Sequence, residues 1–112
     1  MSRYVLNSAV LTTPGTFQYR RLTIEEARKW LAAGPFQSAV SYIATAEAMG
    51  LLLGERPVVT RAHIKMAVGD EALVFRLTMS ISYYEREFRS QHNVTPDFVA
   101  NNAEIGLMRR ID

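Results

Sequence analysis

Residues 34–54 read GPFQSAVSYIATAEAMGLLLG. How this stretch divides decides how many strands and helices the chain has. Gly34 and Pro35 interrupt whatever precedes them. From Gln37 onward, Val40, Ile43, Ala46, Ala48, Leu51 and Leu52 recur roughly at helical spacing, which predicts one helix from about Gln37 to Leu53. Gly54 ends it and Pro57 prevents its continuation. Free backbone N–H groups and the positive end of the dipole favour an anion at such a helix start. Ser38 and Ser41 add hydroxyl donors there, and Tyr42 adds a ring able to stack on a base. In the plainer reading Ser38 only caps the helix and Tyr42 packs on the domain edge.

Upstream, RYVLNSAVL (3–11) is rich in Val, Leu and Tyr and reads as a strand. TTPGT is turn chemistry, and FQYRRL (17–22) reads as a second strand hairpinned to the first. Thr23 and Glu26 form a capping box that opens a helix over IEEARKWLAA. Downstream, VVTRAHIKM (58–66) alternates strictly, with Val58, Thr60, Ala62, Ile64 and Met66 on one side and Val59, Arg61, His63 and Lys65 on the other. After a turn at Gly69-Asp70, ALVFRLTM (72–79) returns, so the two runs predict a second hairpin. Residues 80–93 are polar, aromatic and charged, and read as a loop or short helix. Thr95-Pro96-Asp97 starts a short helix to about Asn102, and EIGLMRRI closes the chain as a strand. The order ββααββ(α)β predicts a single α+β domain over residues 1–112, with a mixed sheet of about five strands and flanking helices.

The totals fit one domain. The chain has 112 residues, 48% of them apolar, and no cysteine, which excludes disulfides and thiolate metal sites. The N-terminus lacks a signal-peptide layout, and no apolar run approaches the length of a membrane span. A cytoplasmic protein with no membrane association is expected. The net charge is +2, carried by eleven arginines and two lysines. Arginine's flat fork of donors matches phosphate, although a GC-rich genome enriches arginine without any such role.

Chemistry-bearing motifs are sparse. His63 sits mid-strand with no second histidine at ligand spacing, and His92 is alone in a polar segment. No Asp, Glu and His cluster has metal spacing, so neither a metal nor a cofactor is expected. There is no phosphate-binding glycine loop and no nucleophile elbow. Residues 80–93 gather Tyr83, Tyr84, Arg86, Phe88, Arg89 and His92, a mixture that suits nucleotide stacking with phosphate contact, or equally a protein interface. Asn7 and Ser8 in the first strand and Arg76 in the return strand of the second hairpin complete the candidate ligand contacts.

Four stretches in order, YVLNSAVLTTPGTFQYRRLTIEEARKWL, QSAVSYIATAEAMGLLLG, TRAHIKMAVGDEALVFRL and EIGLMRRI, resemble the small viral ring nucleases, a family of anti-CRISPR proteins. The resemblance spans almost the whole chain. It implies a homodimer that binds cyclic tetra-adenylate across its two-fold axis and opens the ring without metal, by attack of a ribose 2′-hydroxyl on the adjacent phosphate. The family carries S-x-I-G-H at the start of its second helix, and the histidine serves catalysis. Here the matching run is Ser38-Ala39-Val40-Ser41-Tyr42. The family's arginine and glutamate beyond the next strand fall near Ser80 and Tyr83, and spacing alone does not make Glu85, Arg86 or Glu87 their substitutes.

A phenol is a poor base at neutral pH. The resemblance therefore implies a cyclic-oligoadenylate binder whose catalysis is impaired, with Tyr42 as the remaining catalytic candidate. An active ring nuclease and a module that binds duplex DNA or a host protein are the alternatives. Reading 80–93 as a lid that closes over a nucleotide carries its own expectation. Changing Tyr83 and Tyr84 together to alanine should weaken ligand binding and leave the melting temperature of the free protein nearly unchanged.

Overall fold

Residues 34–54 divide differently from the expectation. In the computed structural model, which describes residues 1–8, 13–86 and 94–112, Gln37–Ala39 form a short strand and the helix begins only at Ile43. The elements run β1 (Arg3–Leu6), β2 (Phe17–Arg21), α1 (Ile24–Ala32), β3 (Gln37–Ala39), α2 (Ile43–Leu53), β4 (Glu71–Leu77), α3 (Ile81–Tyr84), α4 (Pro96–Asn101) and β5 (Ala103–Arg110). The five strands form one mixed sheet in the order β2-β5-β4-β1-β3. A three-residue strand has no period of its own, and Val40 fits either pattern. Pairing decides: Tyr4 lies opposite Gln37 and Leu6 opposite Ala39, in parallel.

Neither expected hairpin forms among the described residues. β1 lies inside the sheet, parallel to both β3 and β4, while β2 pairs antiparallel with β5 at the far edge. The side chains explain the exchange. Val5 is fully buried and Leu6 nearly so, which suits a strand covered on both faces. The mostly exposed, arginine-bearing FQYRR suits an edge, where charge discourages pairing with another chain. The chain therefore passes from β1 to the opposite edge of the sheet rather than back along β1.

The expected alternation of burial holds from Thr60 to Met66 but fails at Val58, which is 75% exposed, and the segment joins no ladder beyond an isolated bridge between Val40 and Val59. Both edges of β4 are already taken, by β1 and β5. Ile64 and Met66, with Ala62 beside them, instead pack across the face of the sheet made by Leu6, Ala72, Val74 and Met108. Arg61, His63 and Lys65 point to solvent. Alternation reports which side is buried, not what the backbone bonds to.

The other face carries the helices. Val5, Leu73, Phe75, Leu77, Ile105 and Leu107 meet Ala27 and Leu31 of α1, Ala44, Ala48, Met49 and Leu52 of α2, and Val99 of α4. Thr23 and Glu26 form the expected capping box on α1. Arg28 donates to the Leu52 carbonyl at 2.7 Å, which satisfies one open carbonyl at the end of α2. Gly54 then takes the left-handed conformation, φ 77°, that closes the helix. Arg3 stacks over the Trp30 ring at 3.8 Å and donates to the carbonyls of Trp30, Gly34 and Pro35, tying β1 to the turn after α1. Asp70 accepts from the backbone N–H groups of Ser2 and Ala67, both at 2.8 Å, and so locks the entry to β4.

Tyr84 contradicts the lid reading. It is 1% exposed, belongs to the main core and packs its ring near Phe98 at 6.5 Å. Tyr83, its neighbour on α3, is 43% exposed. Arg89 and His92 fall outside the described residues. The double tyrosine change is therefore expected to be dominated by the core ring. Tyr84→Ala should destabilise the protein by about 3–5 kcal/mol, whereas Tyr83→Ala should cost about 0.5 kcal/mol or less. Urea unfolding of the two single variants checks this, and equal midpoints would refute it.

Candidate ligand-binding groove

Because β1, β3 and β4 run parallel, their carboxyl ends lie along one border of the sheet. Ligands of open sheets with parallel strands bind beyond such ends. Asn7-Ser8 come after β1, Val40 to Tyr42 after β3, and Thr78 to Ser80 after β4. Asn7, Ser8, Tyr42, Thr45, Arg76, Leu77, Met79 and Ser80 line a groove of about 300 Å³ there.

Asn7 builds the approach to α2. Its Oδ1 accepts from the Ser41 backbone N–H at 3.1 Å and from the Ser41 hydroxyl at 3.3 Å. One side chain at the end of β1 thus fixes the turn at the end of β3. Tyr42 comes next as the N-cap residue in an extended conformation, and its side chain makes no capping bond. Its ring is 48% exposed. The first turn of α2 also holds no acidic residue, and the positive end of a helix favours an anion.

Ser38 is not at this helix start. It lies on β3, where its hydroxyl donates to the Val58 carbonyl at 2.5 Å and accepts from the Val40 N–H at 3.3 Å. Its role is to fasten the segment that crosses the sheet. Ser41 supports the groove through Asn7. Ser80 lines the groove, and its Oγ accepts from the Tyr83 N–H at 3.1 Å, starting α3. Tyr83, Tyr84 and Arg86 are not among the lining residues. The structure therefore brings together Asn7, Ser8, Tyr42 and Arg76 and separates Ser38, Tyr83, Tyr84 and Arg86 from them.

Arg76 gives the groove its positive side chain. Its Nη2 donates to Glu104 at 2.6 Å, directly across the β4–β5 ladder. Arg21 approaches Glu104 to 4.0 Å, and the Tyr19 hydroxyl donates to it at 3.2 Å. The Arg76 hydrogen bond, helped by Tyr19 and the nearby arginine charges, holds the Glu104 carboxyl below its usual range. Burial, then the Glu104 charge, pushes the Tyr19 phenol up.

A second cavity of about 130 Å³ opens on the sheet face away from the helices, lined mainly by Leu6, Phe17, Ile64, Met66 and Met108, with His63 at its wall. Asn7 and Ser8 line both spaces. Among the described residues no group of three or more His, Cys, Asp or Glu could hold a metal ion. No helix there is long and apolar enough to cross a membrane. Sequence reasoning missed Thr45, Tyr19 and Glu104. The i, i+3 offset from Tyr42 could have pointed to Thr45, but nothing local marks a cross-strand partner such as Glu104.

A small α+β domain with a groove at the carboxyl border of its parallel strands is thus defined. Residues 3–93 match the family described as STIV B116-like, and the chain belongs to that family. It is 31% identical over 109 residues to YddF, an uncharacterized protein of Bacillus subtilis (strain 168), covering 96% of this chain and 95% of that one. It is 34% identical over 79 residues to the uncharacterized protein ORF117 of Acidianus two-tailed virus, covering 66% of this chain and 68% of the viral one. The fold is shared with B116 of Sulfolobus turreted icosahedral virus, with a TM-score of 0.78 at 16% identity, over 98% of this chain and all of that one. The protein is therefore related to small proteins of archaeal viruses.

Glu26, held low chiefly by the Thr23 backbone N–H, and Glu104, held low chiefly by Arg76, set an expected pH dependence. A carboxylate with a depressed folded pKa stabilises the fold above its unfolded pKa, and that contribution is lost as pH falls through the folded value. Melting temperature should drop on acidification below the ordinary carboxylate range, and Glu104→Gln should make the drop shallower. Thermal melts from pH 7 to pH 3 check this; superimposable curves for the two proteins would refute the Glu104 share.

Proposed function

We propose that the protein binds a cyclic oligoadenylate, with a phosphate of the ring at the uncapped start of α2 and Arg76 beside it. One observation carries the reading: Asn7, Ser8, Tyr42 and Arg76 line one groove at the helix start. Membership of a family with relatives in archaeal viruses supports a role in counter-defence. A ring ligand with two-fold symmetry suits two such grooves facing each other in a homodimer.

Cleavage is the weaker half of this activity. When a ribose 2′-oxygen attacks the adjacent phosphorus, the bond to the 5′-oxygen breaks and that oxygen needs a proton. Tyr42 is the titratable side chain of the groove placed at the helix start. A phenol can donate this proton but is a poor base for the attacking hydroxyl. Loss of well-matched acid–base help costs roughly 10²–10⁴-fold in rate. The protein acts by holding its ligand more than by opening it.

Calorimetric titration with cyclic tetra-adenylate should give heat at micromolar protein with one ring per dimer, and silence would remove the proposal. With labelled ring and excess protein, linear product should form roughly 10²–10⁴-fold more slowly than with a histidine-bearing relative. Equal rates would restore the active-enzyme reading. One observation favours a second reading: Arg61, His63 and Lys65 form an exposed row on the opposite side of the domain's sheet. Binding of duplex DNA through that row should weaken steeply with salt. Binding of a host protein there should respond far less.

A further inference from the structure

Arg76 belongs to two structures at once. It lines the groove, and one terminal nitrogen of its guanidinium is bonded to Glu104, which does not line the groove. An isolated exposed ion pair does little to fix a side chain. This one is embedded. Glu104 also receives the Tyr19 hydroxyl and faces Arg21, so side chains of β2 and β4 converge on one carboxylate of β5.

The placement of Tyr19 has a specific cause. Tyr19 pairs with Met108, and Gly106 lies two positions along the same face of β5. A Cβ at Gly106 would sit 2.2 Å from the Tyr19 ring and hydroxyl. The absence of a side chain at 106 lets the phenol lie across β5 and reach Glu104. β5 therefore contributes both the carboxylate and the space for the group that holds it.

We propose that Glu104 is the positioning residue of the groove, fixing the Arg76 guanidinium so that its remaining donors face a bound phosphodiester, with Tyr19 over Gly106 as its brace. The inference rests on the reading of the groove as an anion site. A guanidinium has five N–H donors, and the single contact to Glu104 leaves others for a ligand. Ordering the fork before the ligand arrives lowers the entropic cost of binding.

Two readouts test it, one of them without ligand. In the free protein, NMR of the Arg76 guanidinium should show slowed rotation about Nε–Cζ in the wild type and fast averaging in Glu104→Ala. Glu104→Gln, which keeps an acceptor oxygen, should retain the slow rotation. Gly106→Ala, which pushes the Tyr19 ring off β5, and Tyr19→Phe should lie between. With cyclic tetra-adenylate as probe, Arg76→Ala should weaken binding roughly 10–100-fold, as expected for a hydrogen bond to a charged group. Glu104→Ala should weaken it roughly 5–10-fold and Glu104→Gln less than about 3-fold, and each should lower the melting temperature at neutral pH only by the Glu104 share of the acid-induced drop. Equal guanidinium mobility in the wild type and Glu104→Ala overturns the inference. So does tighter binding by Glu104→Ala, which would make Glu104 a competitor for Arg76. If the wild-type protein gives no heat with the probe, the proposed function falls, and the guanidinium rotation alone decides the role of Glu104.

Discussion

The parallel pairing of β1 with both β3 and β4 is the constraint on which the rest of the molecule depends. It places RYVL inside the sheet, where apolar side chains are covered on both faces. It forces the connections between these strands to cross the sheet, with α1 and α2 on one face and residues 58–66 on the other. It also gathers three strand ends on one border and so creates the groove. Arg3 and the Asp70 carboxylate secure the start of β1, and Asn7 secures the border beyond its end.

The legible parts of the fold are those with strong local chemistry. The Thr23–Glu26 box, the Gly54 stop, the Thr95-Pro96 start and the final strand all stand where their residues put them. Partnership is what local chemistry does not disclose. Residues 58–66 alternate as a strand does, yet they cover the sheet instead of joining it, because alternation records burial only. The helix expected from Gln37 begins only at Ile43, after β3, whose residues are stabilised by a distant strand rather than by any propensity of their own.

The groove is half legible for the same reason. By sequence pattern Asn7 and Ser8 belong to a strand and Ser38 to a helix cap; only the parallel topology moves the first two to a strand end and the third to the outer edge of the sheet. Tyr42 and Arg76 can be nominated from their side chains. Glu104 cannot, since its importance comes from standing opposite Arg76 in the ladder. Tyr84 shows the opposite error: an aromatic amid charges reads as a surface residue but is part of the core.

The Asp70 carboxylate that holds the Ser2 N–H reaches across 68 positions of chain, and Asn7 and Ser41 are 34 apart. Contacts of this span make for slow folding, since a long loop must close before they form. During synthesis β1 leaves the ribosome well before β4 and stays without that neighbour until most of the domain has emerged. The groove, lined from Asn7 to Ser80, therefore cannot assemble until β4 has emerged.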